Sequence, residues 1–130
     1  MPHKPLDPAG MAVMGTPNYT HAMVTEGVSR WLHISGQVGV LPDGSTADGT
    51  LAQCRQAFAN IGMLLDEAGM TREDVAHLRI YLVDRDDIAA LRQARGEFFG
   101  ADRQVPSTLI LVSGLVKAEW RVELEIVAGN

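Results

Sequence analysis

Near the C-terminus, Arg121-Val122-Glu123-Leu124-Glu125-Ile126 alternates without a break between charged and apolar side chains. That period of two puts Val122, Leu124 and Ile126 on one face of a β-strand and Arg121, Glu123 and Glu125 on the other. Such a strand must lie on a hydrophobic layer while showing carboxylates to its far side. Just upstream, Leu109-Ile110-Leu111-Val112 is apolar at every position, the pattern of a strand covered on both faces. The two runs, Thr108–Val112 and Arg121–Val127, flank a loop containing Gly114 and Trp120. They predict a paired hairpin in the middle of a sheet, with a small-molecule site where Ser107, Thr108 and Glu123 come together.

The rest of the chain supplies what such a sheet needs. Residues 1–9 carry Pro2, Pro5 and Pro8 and read as a loose arm, and Gly10–Thr16 reads as a short edge strand. Ala22–Glu26 and Arg30–Ser35 suit a hairpin turning at Gly27-Val28-Ser29, with Trp31, His33 and Ser35 sharing a face. Leu41–Gly49 is a polar loop. Thr50–Ala68 is a helix, since Leu51, Cys54, Phe58, Ile61, Leu65 and Ala68 recur at steps of three or four, and Gly69 caps its end. Thr71 to Asp74 resembles a capping box. Val75–Val83 follows as a strand with Ala76, Leu78, Ile80 and Leu82 toward the core. Asp84–Asp87 offers N-cap carboxylates to a second helix, Ile88–Phe99, whose stripe is Ile88, Leu91, the stem of Arg95, and Phe98. Two helices cover only one face of this sheet. The other would expose Trp31, Val75, Tyr81 and part of the Leu109–Val112 run, so self-association is expected.

Bulk properties narrow the function. A chain of 130 residues forms one domain, 1–130, with one core. Its net charge of −5 and lack of a Lys/Arg run give no electrostatic support to a nucleic-acid surface. A lone cysteine, Cys54, on the apolar stripe of a helix reads as an inert core thiol and leaves no framework for a disulfide or a cysteine-rich zinc site. His3, His21, His33 and His77 lack ligand spacing, so neither a metal nor an organic cofactor is expected. No apolar run approaches the roughly 20 residues of a membrane span, and no signal peptide is visible. The expectation is a cytoplasmic protein without a membrane partner.

Five stretches, in order, resemble the RidA/YjgF family. Asn18-Tyr19-Thr20-His21-Ala22 is similar to its Pro-Tyr-Ser-Gln-Ala, and Ile34-Ser35-Gly36-Gln37-Val38 to its Ser-Gly-Gln strand end. Gln53, Phe58, Asn60-Ile61 and Ala68-Gly69 match its first helix, Glu97-Phe98-Phe99 the close of its second. Val122-Glu123-Leu124-Glu125 is similar to its Val-Glu-Ile-Glu. The resemblance implies an α+β, chorismate mutase-like fold: a mixed β-sheet with two helices on one face, trimerising through the other. It also implies ligand clefts between subunits, where characterised members hydrolyse enamine or imine intermediates such as 2-aminoacrylate to a keto acid and ammonia. On that pattern Glu123 positions the attacking water, and Tyr19, Ser35 and Gly36 line the cleft.

Departures from the pattern bear on the chemistry. The arginine of the family's Pro-Ala-Arg-Ser, which binds the substrate carboxylate, falls on Thr108 of Pro106-Ser107-Thr108-Leu109. The following cysteine is Ile110, and the cleft asparagine of the second helix falls on Arg92. Three readings stay open. Ser107 and Thr108 could form a hydroxyl pair for a neutral or smaller substrate; Arg92 or Arg121 could supply a substitute cation; or the cleft binds a ligand without turning it over. The first expectation is thus an enamine/imine-type hydrolase acting on a small metabolite as a homotrimer. The alternative is a non-catalytic metabolite-binding or partner-binding trimer, and RNA cleavage ranks last on charge grounds.

Overall fold

The computed structural model describes residues 2–130. The chain runs β1 (His3–Leu6), β2 (Ala22–Thr25), β3 (Trp31–Val38), α1 (Thr50–Glu67), β4 (Val75–Leu82), α2 (Ile88–Phe99), β5 (Ser107–Leu111) and β6 (Val122–Gly129). The main sheet has the order β3-β6-β4-β5. β6 pairs antiparallel with both β3 and β4, whereas β5 runs parallel to β4. This is the α+β arrangement expected, with a mixed sheet under two helices.

Both helices form where the apolar periodicity places them. On α1, Cys54, Ala57, Phe58, Ile61 and Leu65 are buried. Gly69, at φ 71°, adopts the left-handed conformation that ends a helix cheaply only for glycine. α2 buries Leu91, Ala94, Phe98 and Phe99. Phe58 stacks on Phe98 at 5.0 Å between centroids and meets Phe99 edge-on at 6.0 Å, locking the two helices together. Under them lie Leu78, Ile80 and Leu82 of β4 and Val122, Leu124, Ile126 and Ala128 of β6. Burial pushes the Cys54 thiol up to about 12, with Asp87 adding to the effect, so it is an inert core thiol.

Several expectations about the strands are corrected. β5 and β6 are not partners, because β4 lies between them. The β4–α2–β5 crossover sets β5 parallel to β4, at the sheet edge, and the loop 112–121 then carries the chain back past β4. Accordingly β5 is not covered on both sides: Leu109 packs on the core while Ile110 is 44% exposed. The hairpin of Ala22–Glu26 with Arg30–Ser35 does not form either. β2 pairs with β1, in the register His3↔Thr25 to Leu6↔Ala22, and β3 leaves to join β6. The N-terminal arm is therefore a strand. His3 anchors it, Nε2 lying 2.8 Å from the Gly129 carbonyl and Nδ1 2.8 Å from Thr25 Oγ1. Gly10–Thr16 is a loop, not an edge strand.

Val75 does not face outward. The pairing of β4 with β6 shifts register between Val75 and His77, and this β-bulge turns Val75 into the core, fully buried. Tyr81 and Trp31 do lie on the side away from the helices, Trp31 at 48% exposure. The capping box at Thr71 and Asp74 forms as expected. Asp84 caps a 3-10 turn through the Asp86 amide at 2.8 Å. Asp87 caps nothing; it accepts from Thr50 Oγ1 at 2.9 Å and from Arg121 at 2.8 Å. Phe58→Ala should cost about 3–5 kcal/mol by removing the ring shared between the helices, measurable as a fall in the denaturant midpoint with unchanged slope.

Candidate functional site

The charged face of β6 builds one half of the site. Glu123 and Glu125 point away from the helices, opposite Tyr81 and Arg79 of β4. Glu125 accepts a hydrogen bond from the Tyr81 hydroxyl and lies 3.9 Å from Arg79 Nη1. That bond to a carboxylate holds the Tyr81 phenol above its usual range. Glu123, by contrast, enters no side-chain hydrogen bond or ion pair among the described residues. On its other flank β3 shifts register between Ile34 and Gln37, so Ser35 and Gly36 sit on a bulge. A Cβ built on Gly36 would overlap Oε2 of Glu123 and lie 2.7 Å from its Cδ. Glycine at 36 is what lets the carboxylate lie against the backbone. Within one chain Gly36, with Ser35 next to it on the bulge, lies against Glu123.

The other half is assembled at the β5 edge. Asn18, at φ 62°, is buried and donates through Nδ2 to the carbonyls of Gly100 (2.5 Å) and Arg103 (2.7 Å). This fixes the loop carrying Tyr19, which bridges to Val105 just before β5. The Tyr19 ring is edge-on to His21. It lines a depression of about 400 Å³ with Met14, His21 and Gln104.

Ser107 and Thr108 do not form a hydroxyl pair. On β5 they point to opposite sides: Ser107 toward α2, where its Oγ accepts from Arg95 Nη1 at 2.8 Å, and Thr108 to the exposed side. Within one chain, therefore, Ser107, Thr108 and Glu123 do not meet. β5 and β6 are separated by β4, and Ser107 is already engaged.

Neither proposed substitute cation is at Thr108. Arg121 is committed to Asp87 through Nε (3.1 Å) and Nη2 (2.8 Å), and Arg92 lies exposed on α2.

Arg95 is the residue that sequence reasoning placed on the helix stripe by its stem alone. It is 3% exposed, and Nη2 donates to the Asn18 and Val105 carbonyls at 2.8 and 3.0 Å, while its Nε is unpaired. Burial, reinforced by Arg92, brings its guanidinium down to about 10. One side chain therefore ties α2, the Tyr19 loop and β5 together. The signal was in the sequence: a charged residue on an apolar helical stripe must find acceptors inside.

Two helices on a four-stranded mixed sheet, with Glu123 free of side-chain partners among the described residues, define a small α+β class. Comparison with known proteins agrees. The family model described as Endoribonuclease L-PSP matches residues 11–129. A RutC family protein from Aquifex aeolicus is 31% identical over 102 residues, which is 78% of this chain and 82% of that one. The crystal structure of the Rid-family protein YyfB from Yersinia pestis, described as of unknown function, aligns at TM-score 0.90 and 30% identity over 100% of both chains. RidA from an Antarctic Psychrobacter aligns at 0.73 and 28% identity over 92% of each. The chain belongs to the RidA/YjgF family. No helix among the described residues is long and apolar enough to cross a membrane.

The two adjacent hydroxyls separate experimentally. Ser107→Ala should destabilise the protein by about 1–3 kcal/mol, leaving a buried guanidinium short of an acceptor. Thr108→Ala, on the exposed face, should stay within about 0.5 kcal/mol. Urea titration of the two variants side by side checks both.

Proposed function

We propose that the protein hydrolyses small enamine or imine metabolites, 2-aminoacrylate and its imine tautomer being the type, to a 2-keto acid and ammonia. The observation carrying this reading is the Gly36–Glu123 contact, a carboxylate without a side-chain partner among the described residues, laid against glycine backbone on an open sheet face. A water held by that carboxylate adds to the imine carbon of the substrate. Glu123 accepts one proton of the water as the carbon–oxygen bond forms and passes it to the imine nitrogen, giving a neutral carbinolamine; it then takes the hydroxyl proton and delivers it to nitrogen as the carbon–nitrogen bond breaks and the carbonyl forms. Ammonia leaves, and the carbonyl of the keto acid remains. The chemistry needs no redox step, and a positioned carboxylate base contributes about 10²–10⁴-fold.

Self-association completes the site in this reading. Ser35, Gly36 and Glu123 belong to the β3–β6 side of the sheet, while Tyr19 and Thr108 belong to the β5 side. β3 and β5 are three strand spacings apart, roughly 14 Å. Both sets face one ligand when the β5 edge of one subunit meets the β3–β6 side of the next, as in a ring of three. Exposed Trp31 and Ile110 supply apolar surface for that contact.

Glu123→Gln should lower kcat on freshly generated 2-aminoacrylate by about 10²-fold or more while leaving the melting temperature in place. Gly36→Ala should act in the same direction, because the added methyl displaces the end of a flexible side chain rather than backbone. Pyruvate and ammonia release are the readouts. Keto-acid binding without turnover in the wild-type protein would replace the hydrolase with the non-catalytic binder. Light scattering should give three times the mass of 14.1 kDa; a single subunit at working concentration would remove the cleft. RNA left intact and unretained at low salt is the expected result of the remaining control.

A further inference from the structure

The register of the sheet places one guanidinium beside the position where a carboxylate-binding charge is missing. Arg79 of β4 is paired with Thr108 of β5 on one side and with Glu125 of β6 on the other. Residues directly opposite across strands share a face. Leu78, Ile80 and Leu82 fill the core, so Arg79 and Thr108 both stand on the open face. The strand spacing of about 4.8 Å is shorter than an arginine side chain, so the guanidinium can reach over the small Thr108.

Four other arginines are committed within the chain. Arg55 forks onto Glu97 at 2.8 Å through two nitrogens, Arg121 is held by Asp87, and Arg95 and Arg103 are buried against backbone carbonyls. The Arg79 side chain is 58% exposed, and its one ion-pair contact among the described residues is Glu125 at 3.9 Å, beyond hydrogen-bonding distance. The Glu125 oxygen it approaches is the one bonded by Tyr81. Its donors therefore stay open. Arg79 also lines a depression of about 390 Å³ on the open face, together with Glu125, His33, His77 and Val127. Glu123 lies two residues from Glu125 on the neighbouring strand, diagonal to Arg79 and roughly 7–8 Å from it between backbones.

We propose that Arg79 is the specificity-determining cation of this protein, binding the carboxylate of a small 2-imino or 2-keto acid in place of a residue at 108. The inference rests on the hydrolase reading for the identity of the ligand and on the sheet register for the residue. A guanidinium fork matches a planar carboxylate with two parallel hydrogen bonds. Moved one strand inward, the charge keeps the same face of the sheet, and the small Thr108 leaves it room.

The test titrates the full-length protein with pyruvate by calorimetry and measures turnover of freshly generated 2-aminoacrylate. Arg79→Gln should weaken pyruvate binding and raise KM by about 10- to 100-fold, the range for a lost hydrogen bond to a charged group, with the melting temperature retained. Arg79→Lys, which keeps the charge without the fork, should fall between. Arg85→Gln, an equal loss of charge elsewhere on the surface, should have no effect. Restoring the cation on the adjacent strand in Arg79→Gln/Thr108→Arg should recover most of the affinity. Arg79-dependent pyruvate binding without turnover would uphold the inference and defeat the hydrolase reading. Turnover indifferent to Arg79→Gln, or no pyruvate binding by the wild-type protein, would overturn the inference.

Discussion

Strand β6 has to satisfy two unlike environments at once. Bonded along both edges, to β3 and to β4, it has no freedom to twist away from either. Its even-numbered residues Val122, Leu124, Ile126 and Ala128 are fully enclosed beneath the helices, while Glu123 and Glu125 stay half-exposed on the reverse. A slip of one residue would exchange these sets, placing carboxylates against Phe58 and Ile61. The cost of burying two unpaired charges makes the register unambiguous. Because β6 is central, the positions of Tyr81, Arg79 and Gly36 follow from it.

Polar groups inside the protein do for the β5 end what alternation does for β6. Asn18 is buried beside Gly100 and Arg103, and Arg103 donates to the carbonyls of Gln104 and Val75. Arg95 completes the set from α2. None of these contacts relies on a buried carboxylate. Two cations are stabilised by carbonyl dipoles instead, which orient loops that have little apolar content of their own. The loop bearing Tyr19 is thus fixed by hydrogen bonds, and a loss among them loosens one half of the proposed cleft without touching the core.

How legible these features were in the sequence depends on whether the determining interaction was local. Both helices were readable to within a residue, since Cys54, Phe58, Ile61 and Leu65, or Leu91 and Phe98, encode a face by spacing alone. The two faces of β6 were equally plain. Strand neighbours were not, because alternation says which side of a strand is buried and nothing about what lies beside it. The chain order of β5 and β6 suggested a hairpin, yet the crossover through α2 had already placed β4 between them. Gly27-Val28-Ser29 looked like a hairpin turn and instead hands the chain from one sheet to another. Prolines at 2, 5 and 8 disguised β1, which is held in part by His3 reaching Gly129, a contact 126 residues away. The outward placing of Val75 failed for a related reason, since a bulge resets the period of two. At the candidate site, Gly36 and Glu123 were each picked out by resemblance, but their contact was not, and the opposite orientations of Ser107 and Thr108 required knowing which side α2 occupies.

The separation of the candidate residues into two groups has a physical consequence for where chemistry can occur. A lone carboxylate on an open sheet face is surrounded by water, and a general base in that setting gains little from its position. Enclosure changes this: a second surface brought over Glu123 excludes bulk solvent and strengthens each electrostatic contact inside. The chain carries the means for it in the exposed Trp31 and Ile110, which flank the polar strip on either side. β3 and β5 also end the sheet with unpaired edges, a feature that proteins cover or blunt. In the proposed assembly, covering the apolar flanks and desolvating Glu123 are one event. Under that proposal subunit association would be part of the catalytic apparatus, and a substitution at Ile110 would weaken the site without touching a residue that meets the substrate.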